Sequence, residues 1–126
     1  AFNFYKSVFG GDFIANMKMG DAPDMEKLPK EERMRTMHIS LPLSEDTILM
    51  ASDTVPSMGH TLKQGNNNYI SIHPTSKEEA DRLFNGLSKD GTIEMPMEMQ
   101  FWGDYSGSFI DKFGIYWMIN YNAEFK

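Results

Sequence analysis

The sequence predicts an α+β fold made of two βαβββ modules. Three observations carry this. First, the chain repeats internally: Ala1, Phe4, Tyr5, Val8 and Ile14 align with Ala80, Leu83, Phe84, Leu87 and Ile93, and Leu49-Met50-Ala51 answers Trp117-Met118-Ile119. Second, both halves then read helix, strand, strand, strand. Third, residues 101–121 (FWGDYSGSFIDKFGIYWMINY) read as two strands around a tight turn at Asp111–Gly114, with β-branched and aromatic flanks. In the last strand Ile115, Trp117, Ile119 and Tyr121 share the apolar face; Tyr116, Met118 and Asn120 share the other.

Taken in order, Ala1–Gly11 reads as a helix already under way, with apolar residues at helical spacing and Gly10-Gly11 as its stop. Residues 13–19 read as a strand. Residues 20–33 are charged and carry two prolines, so a long loop is expected. Residues 34–41 and 47–52 form a hairpin, and 53–67 is loop. A short strand follows at 69–73. Ser76-Lys-Glu-Glu79 is a capping box, and the helix it starts carries Ala80, Leu83, Phe84 and Leu87 on one face. The strand from Ile93 to Met99 places Ile93, Met95, Met97 and Met99 on one side, and its Pro96 suits an edge or a bulge. The last two strands run from Trp102 to Ile110 and from Ile115 to Tyr121. Module one spans 1–53, a linker 54–67, and module two 68–126. The strand before the second helix has its counterpart upstream of Ala1.

Composition narrows the function. With 126 residues the chain buries one domain's core. A net charge of −6 without a Lys/Arg cluster argues against nucleic acid or an anionic membrane as partner. No apolar run reaches the roughly 18 residues of a membrane span, and no signal peptide is present, so a cytoplasmic protein is expected. The chain has no cysteine, which excludes disulfides, thiolate chemistry and Cys-based zinc sites. Its 11 methionines suit an irregular core or an adaptable pocket.

A doubled βαβββ unit resembles the vicinal oxygen chelate (glyoxalase/bleomycin-resistance) superfamily. AFNFYKSVFGGDF together with FWGDYSGSFIDKFGIYWMIN is similar to the PhnB-like subfamily, whose members are often described as demethylubiquinone methyltransferase-like. The resemblance runs from end to end. It implies two sheets curled around one concave cup, helices outside, and a homodimer. No Gly-rich strand-to-helix loop for S-adenosylmethionine is present, so methyltransferase activity is not expected.

Catalytic members of that superfamily chelate a divalent ion with His or Gln on the first strand of each module and Glu or His on the last. The resemblance places those last-strand ligands at Met118 and Met50, and a thioether is a poor ligand for a hard cation. The first-strand ligand of module two would fall at Asn68 or Tyr69, and neither is His. No metal and no cofactor are therefore expected.

Of the histidines, His38 shares a strand face with Thr36 and Ser40 and points to the cup; His73 reads as structural and His60 as exposed. Trp102 reads as a cup wall or a core aromatic, and Asp104 as a ligand acceptor or a turn cap. The expected ligand-binding set is His38, Met50, Trp102, Tyr105, Tyr116, Met118 and Asn120. Two classes follow. One is a metal-free protein that binds a small molecule in the cup. The other is a lyase, isomerase or ring-cleaving enzyme using His38 and Asp104 as catalytic groups, or a metal held in an unrecognised way. A homodimer is expected with Phe101, Phe109, Phe113 and Tyr121 at or beside its interface.

Overall fold

A computed structural model describes residues 1–123. It divides the chain into two compact units, Ala1–Gln64 and a second beginning at Gly65. The fold class is the predicted one, α+β, with one sheet in each unit.

In the first unit, helix α1 (Phe2–Phe9) ends where Gly10 and Gly11 take positive φ, and the Gly10 N–H donates to the Lys6 carbonyl. Strands β1 (Ala15–Lys18), β2 (Thr36–Pro42) and β3 (Ile48–Ala51) form an antiparallel sheet in that order. Strand β2 buries Ile39 and Leu41, as Tyr5 of α1, Met19 and Val55 are buried, and Ser40 between them is buried as well. The 20–33 stretch is not featureless. It folds into two 3-10 turns, Met19–Asp21 and Met25–Lys27, and a one-turn helix α2 (Lys30–Arg33). Buried Glu32 then ties α2 to the 3-10 turn Pro56–Met58 that follows β3, accepting from the Ser57 N–H at 3.1 Å.

The second unit holds the complete βαβββ order: β4 (Ile70–Ile72), α3 (Lys77–Leu87), β5 (Thr92–Met99), β6 (Tyr105–Ile110) and β7 (Tyr116–Tyr121). The sheet order is β4-β7-β6-β5, and β4 runs parallel to β7. The predicted capping box forms only in half. Ser76 Oγ accepts from the Glu79 N–H at 3.1 Å, but the Glu79 carboxylate pairs with Arg82 one turn on. Leu83, Phe84 and Leu87 pack with Phe109, Trp117 and Ile119 into the core of this unit.

Two further readings change. The Ile93–Met99 strand does not keep one apolar side. Its pairing with β6 slips twice, which puts Met95 opposite Ser108 while the Met97 sulfur lies against Gly107. Pro96 falls within the second slip, between Met95 and Glu98, on an edge strand, the setting expected of a strand proline. Strand β6 starts at Tyr105 rather than Trp102, because Gln100–Asp104 closes a turn with Gly103 at φ 100°. Trp102 therefore sits in a turn, 52% exposed, edge-on to Phe101. Among the described residues no helix is long and apolar enough to cross a membrane.

Candidate functional site

Period two along β7 sends Trp117 and Ile119 to the core and leaves Tyr116, Met118 and Asn120 on the open face, as the sequence predicts. Met118, 41% exposed, stands between Ser71 of β4 and Ser108 of β6. Tyr116 meets the Tyr69 ring edge-on at 5.3 Å, and the Tyr69 hydroxyl donates to Glu94 at 2.8 Å. That bond holds the Tyr69 proton and raises its pKa.

At the far end of β7 this face deepens into a pocket of about 220 Å³ lined by His73, Pro74, Asp104, Asn120 and Asn122. The Asp104 carboxylate is the hub: one oxygen accepts from Asn120 Nδ2 at 2.9 Å, the other from Asn122 Nδ2. His73 shares a 3.3 Å hydrogen bond with Ser71, which links the pocket to the Met118 row. A carboxylate among carboxamides offers mainly acceptors, so the pocket suits a ligand with hydroxyl or amine donors.

The structure thus joins Asp104, Asn120, Met118 and Tyr116 in one unit. Tyr105 lies elsewhere. Its hydroxyl donates to Asp81 of α3 at 2.6 Å, and the Lys77 ammonium sits over its ring. This bond pushes its pKa up to about 12. Because the folded value lies above that of a free phenol, the bond stabilises the fold below about pH 10 and is lost as pH rises through about 12. In a spectrophotometric titration Tyr105 is expected to ionise only near pH 12. Asp81→Asn should bring it back toward the ordinary range; an unmoved titration would show that the bond does not set it.

In the first unit, β2 and β3 bring His38 and Met50 together. His38 Nε2 and Ser40 Oγ lie 2.7 Å apart, Met50 pairs opposite Ser40, and Met17 opposite His38. Met50 is 61% exposed. Ser40 is buried, so this pair orients the imidazole rather than exposing a nucleophile.

Sequence reasoning missed His73 and Asn122. For Asn122 a signal existed: it continues the Tyr116, Met118, Asn120 alternation by one step. His73 had none, since its neighbours in the pocket come from β7 and the β5–β6 turn.

Comparison with known proteins places this geometry. Residues 1–119 match the model of the Glyoxalase/Bleomycin resistance protein/Dioxygenase superfamily. Protein YjdN of Escherichia coli (strain K12) is 28% identical over 128 residues, covering 95% of this chain and 84% of that protein. The crystal structure of protein PA1353 from Pseudomonas aeruginosa is 35% identical with a TM-score of 0.82, over 96% of this chain and 86% of that one. The PhnB protein from Bacillus cereus shares the fold at 21% identity and a TM-score of 0.70, over 95% of this chain and 87% of that one.

Proposed function

From the premise that this chain belongs to the glyoxalase/bleomycin resistance protein/dioxygenase superfamily, we propose that it binds a small molecule on its open sheet faces without a divalent metal. One observation carries the reading: Met118 and Met50, where the resemblance puts the last-strand Glu or His ligands of the superfamily's catalytic members, are both exposed. Their cross-strand neighbours are the hydroxyls of Ser71, Ser108 and Ser40. A thioether is a poor ligand for a hard divalent ion, and among the described residues no group of three His, Asp or Glu side chains is placed to hold one. What these faces do offer is soft apolar surface beside a polar pocket, the usual make-up of a small-molecule site. The ligand class that suits them is a molecule with an apolar body over Met118 and Tyr116 and a hydroxyl or amine donor to Asp104.

Elemental analysis of purified protein is expected to find far less than one Zn, Ni, Mn or Fe per chain; about one per chain would overturn the metal-free reading. In a thermal-shift screen of small alcohols and amines bearing aromatic or aliphatic bodies, hits should lose about tenfold in affinity on Asn120→Ala, the worth of a single hydrogen bond to a buried site. Hits that bind Asn120→Ala and Met118→Arg as well as the parent would sink the proposed location.

The same reading includes a homodimer. Phe109 drops out of the expected interface, because it is wholly buried in the second unit. Phe101 (97% exposed) and Met99 beside the β5 edge strengthen it, since an open edge with apolar side chains is normally covered. Light scattering on the same preparation should give about twice 14.4 kDa at micromolar concentration, and a mass of 14.4 kDa would refute it.

A further inference from the structure

A second pocket, independent of the open sheet faces, lies within the first unit where the 20–33 segment folds back on β1. It measures about 500 Å³ and is lined by Lys18, Gly20, Asp21, Glu26, Lys30, Arg33 and Met34. Its charge runs against that of the whole chain. The chain has 12 basic and 18 acidic residues, whereas this wall carries three cations against two carboxylates.

Among the described residues none of the three cations makes an ion pair. Ion pairs among the described residues join Lys6 to Asp12, Arg35 to Glu31 and Arg82 to Glu79, and none of them involves Lys18, Lys30 or Arg33. Asp21 is occupied otherwise, since one of its oxygens accepts from the Lys18 backbone N–H at 2.9 Å. Arg33 supplies the most telling atom: its Nε is buried and has no hydrogen-bond partner. An orphaned guanidinium N–H is costly to keep, and its fork is shaped for two oxygens of one group.

Gly20 makes the room. A Cβ at this position would stand 3.3 Å from Arg33 Cβ and 3.4 Å from its carbonyl, so the glycine lets the Met19–Asp21 turn close onto Arg33. Lys18 lines the same hollow from the end of β1, and Lys30 lines it from the start of α2, the one-turn helix that ends in Arg33.

We propose that this pocket is an oxyanion site, taking a phosphoryl or carboxylate group of a small molecule, with Arg33 as the fork and Lys18 and Lys30 as flanking charges. A metal cation is the wrong sign for this wall. The flanking Asp21 and Glu26 favour an oxyanion whose carrier also bears hydroxyl or amine donors.

The test titrates the whole protein with sodium phosphate and, separately, sodium acetate, following backbone amides by NMR at an ionic strength held constant with NaCl. Saturable shifts at Gly20, Lys30 and Arg33 are expected. Lys30→Gln and the conservative Arg33→Lys should each weaken binding about tenfold, the loss of a charge-assisted contact, while Lys63→Gln outside the pocket leaves it unchanged. Saturation by phosphate alone assigns the site to phosphoryl groups, and by both ions to oxyanions generally. Shifts that track chloride equally, or that survive both pocket variants, overturn the proposal. Thermal midpoints of the variants, measured alongside, separate lost binding from lost folding.

Discussion

Phe84→Ala is expected to destabilise the protein by about 3–5 kcal/mol, the usual cost of emptying a fully packed aromatic site. Phe84 is only 4% exposed, and its ring meets Phe109 edge-on at 5.1 Å. It also fills the space above Gly107, where a Cβ would stand 2.9 Å from Phe84 Cε2, 2.9 Å from the Met97 sulfur and 2.8 Å from the Met95 carbonyl. Helix, sheet and edge strand meet at that point, so the hole left by alanine has little freedom to collapse. Gly107→Ala alone should cost roughly 1–3 kcal/mol by overpacking. The double variant should be less destabilised than the sum, because one of three clashes disappears, although the Met95 carbonyl still stands in the way. Denaturant melts decide it: a loss below about 1 kcal/mol for Phe84→Ala would show that this helix face is solvated.

The same site shows how much was legible in the sequence. Helical spacing from Ala80 to Leu87 named the packing face of α3, and strict alternation in Ile115–Tyr121 separated Trp117 and Ile119 from Met118 and Asn120. Both are short-range periodicities, and short-range periodicity survives folding wherever one face is buried. The β5 face did not survive. Bulges between Ile93 and Met95 and between Met95 and Glu98 shift the register, and a bulge carries no period to read. Asp104 and Asn120 were recognised as polar groups, but their hydrogen bond joins a turn to a strand 16 positions further on, which only tertiary structure reveals. Tyr105 misled for a related reason. Alternation puts it on the helix side of β6 with Phe109, and its Asp81 partner belongs to α3. The 20–33 segment looked like featureless loop because its order comes from 3-10 turns and from anchors such as Glu32 to Ser57, neither of which leaves an apolar pattern.

Asp111→Ala should cost about 3 kcal/mol or more, through orphaned donors rather than lost volume. The Asp-Lys-Phe-Gly turn identified from the sequence is real, and Gly114 takes the positive φ of 84° that it requires. Its first residue does more than start the turn. The Asp111 side chain is buried, and one oxygen accepts from the Phe113 and Ile115 N–H groups at 2.8 and 3.0 Å. The other accepts from Trp117 Nε1 at 2.9 Å. A single carboxylate thus fixes the hairpin and orients the indole at the centre of the second core, which accounts for the Asp-x-Phe-Gly-x-x-Trp spacing in physical terms. Alanine would leave a buried indole N–H facing a methyl group and would loosen two turn amides. Asp111→Asn separates the two roles. Its carbonyl oxygen can still serve the turn, but its amide then sets donor against donor at Trp117, so it should fall between the parent and alanine variants. The indole Nε1–H resonance reports this directly: it should shift in Asp111→Asn while the Phe113 and Ile115 amides stay near their parent positions. An Asp111→Ala variant within about 1 kcal/mol of the parent would mean that water replaces the carboxylate and that the turn holds without it.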